Sequence, residues 1–130
     1  MAEQVERGRV AWVDTDAGGR IHFTAAFRWA EAAETALMRR LGMLEEWGDY
    51  PRRHVEAEYL QVLVFEDEVE LHLRVDQIGK TSISYGWTVS RDGELAIAGR
   101  HIVVHVDEHG RPAPVPDHVR AVLSAEEPQI

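Results

Sequence analysis

The chain contains no cysteine. Disulfide scaffolds, thiolate nucleophiles and thiolate-bound zinc are therefore excluded. Lysine is nearly as scarce, with Lys80 the only one, and Lys and Arg together number 14 against 23 Asp and Glu, a net charge of −9. A nucleic-acid partner needs clustered cations to neutralise phosphates, so the charge balance argues against one. The same field opposes any polyanionic ligand unless a local basic patch offsets it. No apolar run approaches the roughly 20 residues that span a bilayer. The segment from Met1 to Glu6 is acidic and lacks the basic and apolar regions of a signal peptide, so a cytoplasmic location is expected. With no internal repeat, low-complexity stretch or linker, 130 residues at 45% hydrophobic content predict one domain over 1–130. The seven histidines form no His-x-His or His-Glu-x-x-His pattern. His101 and His105 stand four apart in a predicted strand, about 13 Å at the usual rise, too far for one ion. Surface histidines are the expectation, with no metal and no cofactor.

What is present is a legible order of elements. Residues 7 to 14 read as a strand. Residues 24 to 41 read as a helix, with Thr24 at its N-cap and Ala26, Ala30, Ala33, Leu37 and Leu41 along one face. Gly42 sits where a left-handed residue ends a helix. A further strand is expected over 54 to 65, with less regular alternation. From Glu68 to Ile78 apolar and polar residues alternate strictly, and the pattern repeats from Ser82 to Val89. Asp92-Gly93 signals a tight hairpin into a strand over about 95 to 106. That strand is apolar at odd positions through Ile97 and at even positions from Ile102, which predicts a bulge at Gly99. A short helix is expected from Pro116 to about Leu123, and a frayed end from Glu126 to Ile130. A strand, one long helix and then a four-stranded antiparallel meander make an α+β fold. A five-stranded sheet leaves an edge unpaired, which favours a homodimer or larger assembly. Trp12, Phe27, Trp29, Tyr59, Tyr85 and Trp87 are read mainly as core.

The chemistry concentrates in Asp14-Thr15-Asp16-Ala17-Gly18-Gly19-Arg20-Ile21-His22-Phe23. Carboxylates here stand between an extended segment and a helix start. A carboxylate can serve as general base or nucleophile, and the unpaired N–H groups of a helix start can face an electron-rich ligand atom. Gly18 and Gly19 let the backbone turn and approach a ligand closely. If the chain is extended here, Asp14 and Asp16 share a face. Aspartates are also common turn residues, so residue type alone does not decide between structure and chemistry.

Asp-Thr-Asp-Ala-Gly-Gly, followed by Phe27-Arg28-Trp29-Ala30-Glu31 and Leu41-Gly42, resembles the hotdog-fold acyl-CoA thioesterases of the 4-hydroxybenzoyl-CoA thioesterase type. Tyr59-Leu60, Phe65-Glu66-Asp67, Ile78-Gly79-Lys80-Thr81-Ser82 and Gly110-Arg111-Pro112 extend the likeness to most of the chain. The resemblance implies one long helix wrapped by a curved five-stranded antiparallel sheet, a homodimer or homotetramer with sites between protomers, and hydrolysis of an acyl thioester carried on coenzyme A or an acyl-carrier protein. It implies Asp16 as base or nucleophile and the Phe23 backbone N–H as oxyanion donor, with Asp14 supporting from behind. It places Gly19, His22 and Thr24 near the substrate, and Lys80 near the nucleotide end of coenzyme A. Arg53, in Arg52-Arg53-His54, is a second candidate for the phosphates. Many relatives carry Tyr-His-x-Asn where this chain has His22-Phe23-Thr24-Ala25, so the amide is missing and His22 or Thr24 takes its place.

Asp14-Thr15-Asp16 after a strand also resembles the start of haloacid-dehalogenase phosphatases. The absence of any βαβ pattern and the single lysine reject that reading. Two rivals stand: a hotdog dehydratase or hydratase, which pairs a histidine with an acid, and a non-catalytic acyl-thioester binding module. Thiol release from acyl-CoAs separates them.

Overall fold

A computed structural model describes residues 1–125; the expected frayed end over 126–130 lies outside them. Helix α1 spans Ala25–Arg40. Ala26, Ala30, Ala33 and Leu37 are buried along its inner face, and Leu41 just beyond it is half-buried. Small side chains on that face let the helix approach the sheet closely. Gly42 ends the helix at φ +74°. Gly42 N–H donates to the Arg39 carbonyl (3.2 Å) and Met43 N–H to the Met38 carbonyl (2.8 Å), the Schellman arrangement. Thr24 does not cap with its side chain. Its backbone is already helical, and its hydroxyl is engaged by His22 and Arg28 instead.

Five strands, β1 (Glu3–Arg9), β2 (Arg52–Tyr59), β3 (Glu68–Ile78), β4 (Ser82–Arg91) and β5 (Glu94–Val104), form one sheet in the order β1-β3-β4-β5-β2. Every pairing is antiparallel. The inner face carries Leu71, Leu73 and Val75 from β3 and Ile83, Tyr85, Trp87 and Val89 from β4, all buried under α1. This is the helix-wrapped five-stranded arrangement expected. Asp92 (φ +53°) and Gly93 (φ +77°) make the tight turn between β4 and β5. A short terminal helix, α2, covers Asp117–Ser124.

The structure corrects four expectations. The first strand stops at Arg9, because the Asp14 carboxylate accepts the Ala11 N–H (2.9 Å) and closes a 3-10 turn over Trp12–Asp14. Strand β2 does not precede β3 in a meander; it crosses to the far edge and pairs with β5. Gly99 is not a bulge. It sits in register opposite Trp87 and Ala57, and the residue skipped against β4 is Ala96, between the pairs Ser90–Leu95 and Val89–Ile97. A Cβ on Gly99 would lie 2.1 Å from the Trp87 ring, so glycine is there to seat the indole. The inward face of β5 simply continues through Ile97, His101 and Val103.

The fourth correction is His101, which is not a surface histidine. It is 1% exposed, and its partner Glu34 on α1 is 0% exposed. Trp87 Nε1–H donates to His101 Nδ1 (3.2 Å), which leaves the ring proton on Nε2, aimed at the Glu34 carboxylate. Arg52 adds a charged hydrogen bond to Glu34 (3.0 Å). Helix α1 and strands β2, β4 and β5 are thus joined through one buried polar knot. Tyr85 stacks on His101, and burial, then the charge of Glu34, pushes its hydroxyl well above the usual phenol range.

Candidate active site

Residues 15 to 21 fold back on themselves as a miniature hairpin. Thr15 bridges Ile21, and Asp16 N–H donates to the Arg20 carbonyl (2.8 Å). Gly19 N–H returns to the Asp16 carbonyl (3.1 Å), with Gly19 at φ +82°. Gly18 N–H donates to Asp16 Oδ1 (2.7 Å). One carboxylate oxygen is therefore anchored. Among the described residues Oδ2 has no partner, and the side chain is solvent-exposed. A carboxylate held at one oxygen and free at the other is suited to take a proton from water or to attack a carbonyl.

Asp14 and Asp16 do not share a face. The 3-10 turn puts Asp14 inside, where Oδ2 takes the Ala11 N–H and Oδ1 takes Arg28 (3.1 Å). Its carbonyl accepts the His22 N–H (2.7 Å), which braces the far leg of the hairpin. His22 Nδ1 accepts the Thr24 N–H (3.2 Å) and meets the Thr24 hydroxyl (2.8 Å), which Arg28 also holds (3.1 Å). The site therefore hangs on a chain of contacts from Asp14 through Arg28 and Thr24 to His22.

A cleft of about 370 Å³ opens beside this hairpin. Asp16, Arg20, Ile21 and Phe23 form one wall, and Tyr59 through Leu63 form the other. The walls are tied by Ile21 N–H to the Leu63 carbonyl (3.0 Å) and by a bridge between Arg20 and Val64. The second wall is fixed in turn by the β5 bulge, whose freed Ala96 carbonyl accepts both Leu60 N–H (2.8 Å) and Gln61 N–H (3.1 Å). Asp67 pins the end of this segment. The Val64 N–H, then Arg91, holds its carboxyl below the usual range.

Phe23 lies in the turn just before α1. Its carbonyl accepts the Tyr59 hydroxyl, whose pKa burial pushes upward. Its ring stacks on His22. Among the described residues nothing accepts the Phe23 N–H, and Phe23 lines the same cleft as Asp16.

The structure brings Asp16 and Phe23 together, with Gly19, His22 and Thr24 in the same 16–24 segment. It does not bring Lys80 or Arg53 to this cleft. Lys80 lies in the β3–β4 turn and Arg53 at the start of β2, whereas the cleft adjoins the far end of β2 at Tyr59, about 20 Å along the strand. Sequence reading missed the cleft roles of Arg20 and of residues 61 to 63. The irregular alternation after Tyr59 was the available signal that the strand ends there. Trp12, expected in the core, is 75% exposed and packs edge-on against Phe65. Tyr59 is also exposed and forms a cleft wall rather than a core layer.

Residues 10–123 match the thioesterase-like superfamily. The chain belongs to that family. A thioesterase from Thermus thermophilus, solved with coenzyme A and zinc, is 26% identical, with 92% of this chain and 90% of that one aligned at a TM-score of 0.85. A gentisyl-coenzyme A thioesterase aligns over 94% of this chain and 100% of its own at 21% identity and a TM-score of 0.83. A 1,4-dihydroxy-2-naphthoyl-CoA thioesterase from Synechocystis aligns over 94% and 96% at 15% identity and 0.84. In this thioesterase-like chain the five-stranded sheet around α1 is the hotdog fold.

Proposed function

We propose that the Asp16 cleft is where this thioester hydrolase cleaves acyl-CoA to a free acid and a thiol. One observation carries the reading: Asp16, with one carboxylate oxygen lacking a partner, and Phe23, whose backbone N–H lacks an acceptor, line the same cleft in a chain of the thioesterase-like family. As a base, Asp16 takes a proton from water as the hydroxyl oxygen bonds the thioester carbon. The oxyanion forms at the Phe23 N–H, the C–S bond breaks, and the departing sulfur takes the proton back. As a nucleophile, Asp16 forms a mixed anhydride that water then opens. Both routes use the same two groups. Gly19 shapes the turn, and the contacts between His22 and Thr24 hold the segment on either side of Phe23. No chemistry in either route calls on a metal or cofactor.

Mixing the protein with a panel of acyl-CoAs and following free thiol tests this. Release with turnover supports hydrolysis; tight binding without release would make the chain a binding module. The dehydratase reading is disfavoured because no histidine among the described residues lines the Asp16 cleft. His22 meets Thr24 rather than a carboxylate, and the His101–Glu34 pair is closed inside the core.

The assembly is proposed to be a homodimer or homotetramer. Strand β2 is an exposed edge, and Val13, Val62 and Phe65 add exposed apolar surface beside it and around the cleft. Because Lys80 and Arg53 lie far from the cleft of their own protomer, phosphate contacts from them fall to a neighbouring protomer's ligand. Sedimentation at micromolar concentration is expected to show no lone monomer; a monomer throughout would contradict the assembly. No helix among the described residues is long and apolar enough to cross a membrane, and the cytoplasm is the proposed location. A carrier-protein thioester remains an alternative donor, tested in the same thiol assay.

A further inference from the structure

Arg20 is the one cation lining the Asp16 cleft, and among the described residues its guanidinium has no ion-pair or hydrogen-bond partner. The neighbouring arginines are spent. Arg9 meets Glu68 (2.5 Å), Arg28 meets Asp14 (3.1 Å) and Arg91, behind the Val62 wall, meets Asp67 (2.9 Å). In a chain of net charge −9, Arg20 thus puts one unpaired, exposed guanidinium on the wall of an otherwise largely apolar cleft.

Its position is set by the backbone. The Arg20 carbonyl takes the Asp16 N–H across the hairpin (2.8 Å), so both side chains leave the same tight turn. They flank Gly18. A Cβ there would lie 3.1 Å from Asp16 Oδ1 and 3.4 Å from Arg20 Nε, yet the two groups form no ion pair with each other. The guanidinium Nε thus stands no more than about 6.5 Å from Asp16 Oδ1 and keeps its donors open.

We propose that Arg20 is a specificity residue that receives a carboxylate carried by the acyl group, so that the preferred substrates are monothioesters of dicarboxylic acids. The inference rests on the thioester-hydrolase reading of the Asp16 cleft. A substrate carboxylate near Asp16 would be repelled by it, and by the acidic chain as a whole, unless a cation met it there. Guanidinium does so with paired, directional donors. The phosphates of coenzyme A are the other anion available. They are separated from the thioester by the long pantetheine arm, whereas Arg20 stands beside the carboxylate that attacks.

The test compares glutaryl-CoA with valeryl-CoA, matched in chain length, and adds valeryl-pantetheine, which has no phosphate. Wild type is expected to favour glutaryl-CoA. Arg20→Met should lower kcat/KM for glutaryl-CoA by about 10- to 100-fold, the range for a hydrogen bond to a charged group, and lower it for valeryl-CoA by a much smaller factor. Arg20→Lys should recover part of the loss. An equal loss on all three substrates would overturn the proposal. So would a loss on both CoA esters that spares valeryl-pantetheine, which would assign Arg20 to the phosphates. Indifference of Arg20→Met on every substrate that wild type cleaves would overturn the proposal and leave the hydrolase reading standing. Failure of wild type to cleave any of them would overturn both. Arg20 is exposed, and an unchanged urea midpoint verifies that each variant folds.

Discussion

Asp16→Asn is expected to lower kcat by about 10² or more, the usual range for loss of an acid–base group. The substitution keeps the side chain's size and an oxygen to accept the Gly18 N–H, so the hairpin should survive. It removes the charge and the basicity of the free oxygen. KM should change little, because the Phe23 N–H and the remaining residues of both cleft walls are untouched and asparagine keeps the size of Asp16. The acidic limb of the pH–rate profile should disappear, since that limb reports ionisation of the essential carboxylate. Asp14→Asn should behave differently. Asp14 is buried against Arg28 and the Ala11 N–H, so its loss weakens the brace behind the hairpin rather than removing a reacting group. Steady-state kinetics on both variants, with urea melts as the fold control, separates the two roles. Full turnover by a folded Asp16→Asn protein would end the proposed mechanism.

The largest expected effect on stability comes from the knot under α1. Glu34→Ala removes the acceptor shared by His101 and Arg52 in a dry region, leaving a buried imidazole N–H unpaired. Leaving a buried polar group without its partner typically costs about 1–3 kcal/mol. A double replacement, Glu34→Leu with His101→Leu, should cost less than the two single changes added together, because fewer polar groups are stranded. Arg52 begins the edge strand and is partly exposed, so it can turn to water. Urea denaturation of the two single variants and the double variant closes the cycle. Strict additivity would show that the buried groups do not act as a unit.

Much of this fold is written in local pattern. Period-2 alternation placed β3 at Glu68–Ile78 to the residue, and the 3.6-residue stripe of alanines and Leu37 placed α1 within one residue at each end. Asp92-Gly93 announced its hairpin because its backbone needs positive φ. The misreadings share a cause: each required knowing what lies across the sheet. His101 looked like the polar side of β5 until Glu34 and Trp87 supplied partners for it. Gly99 looked like a bulge because the indole that needs its missing Cβ comes from β4. Strand β2 looked like a neighbour of β3 because chain order says nothing about which edge a strand joins.

The site was legible in the same uneven way. Asp16 stood out through its motif. The 3-10 turn that separates Asp14 from Asp16 was hidden, since it depends on one side chain bonding the backbone three residues earlier. The far wall of the cleft was hidden too, because Leu60 and Gln61 are held there by a carbonyl that a bulge in β5 sets free. Arg20 carried no signal in sequence; its meaning lies in the partner it lacks.

The claim that Asp16 and the Phe23 N–H form one active site is tested most directly by a crystal structure of the Asp16→Asn variant holding an intact acyl-CoA. The thioester oxygen should lie about 2.7–3.1 Å from the Phe23 nitrogen, the distance of a working oxyanion donor. The thioester carbon should face the side chain at position 16. A thioester seated elsewhere, with the Phe23 N–H still unengaged, would contradict the account.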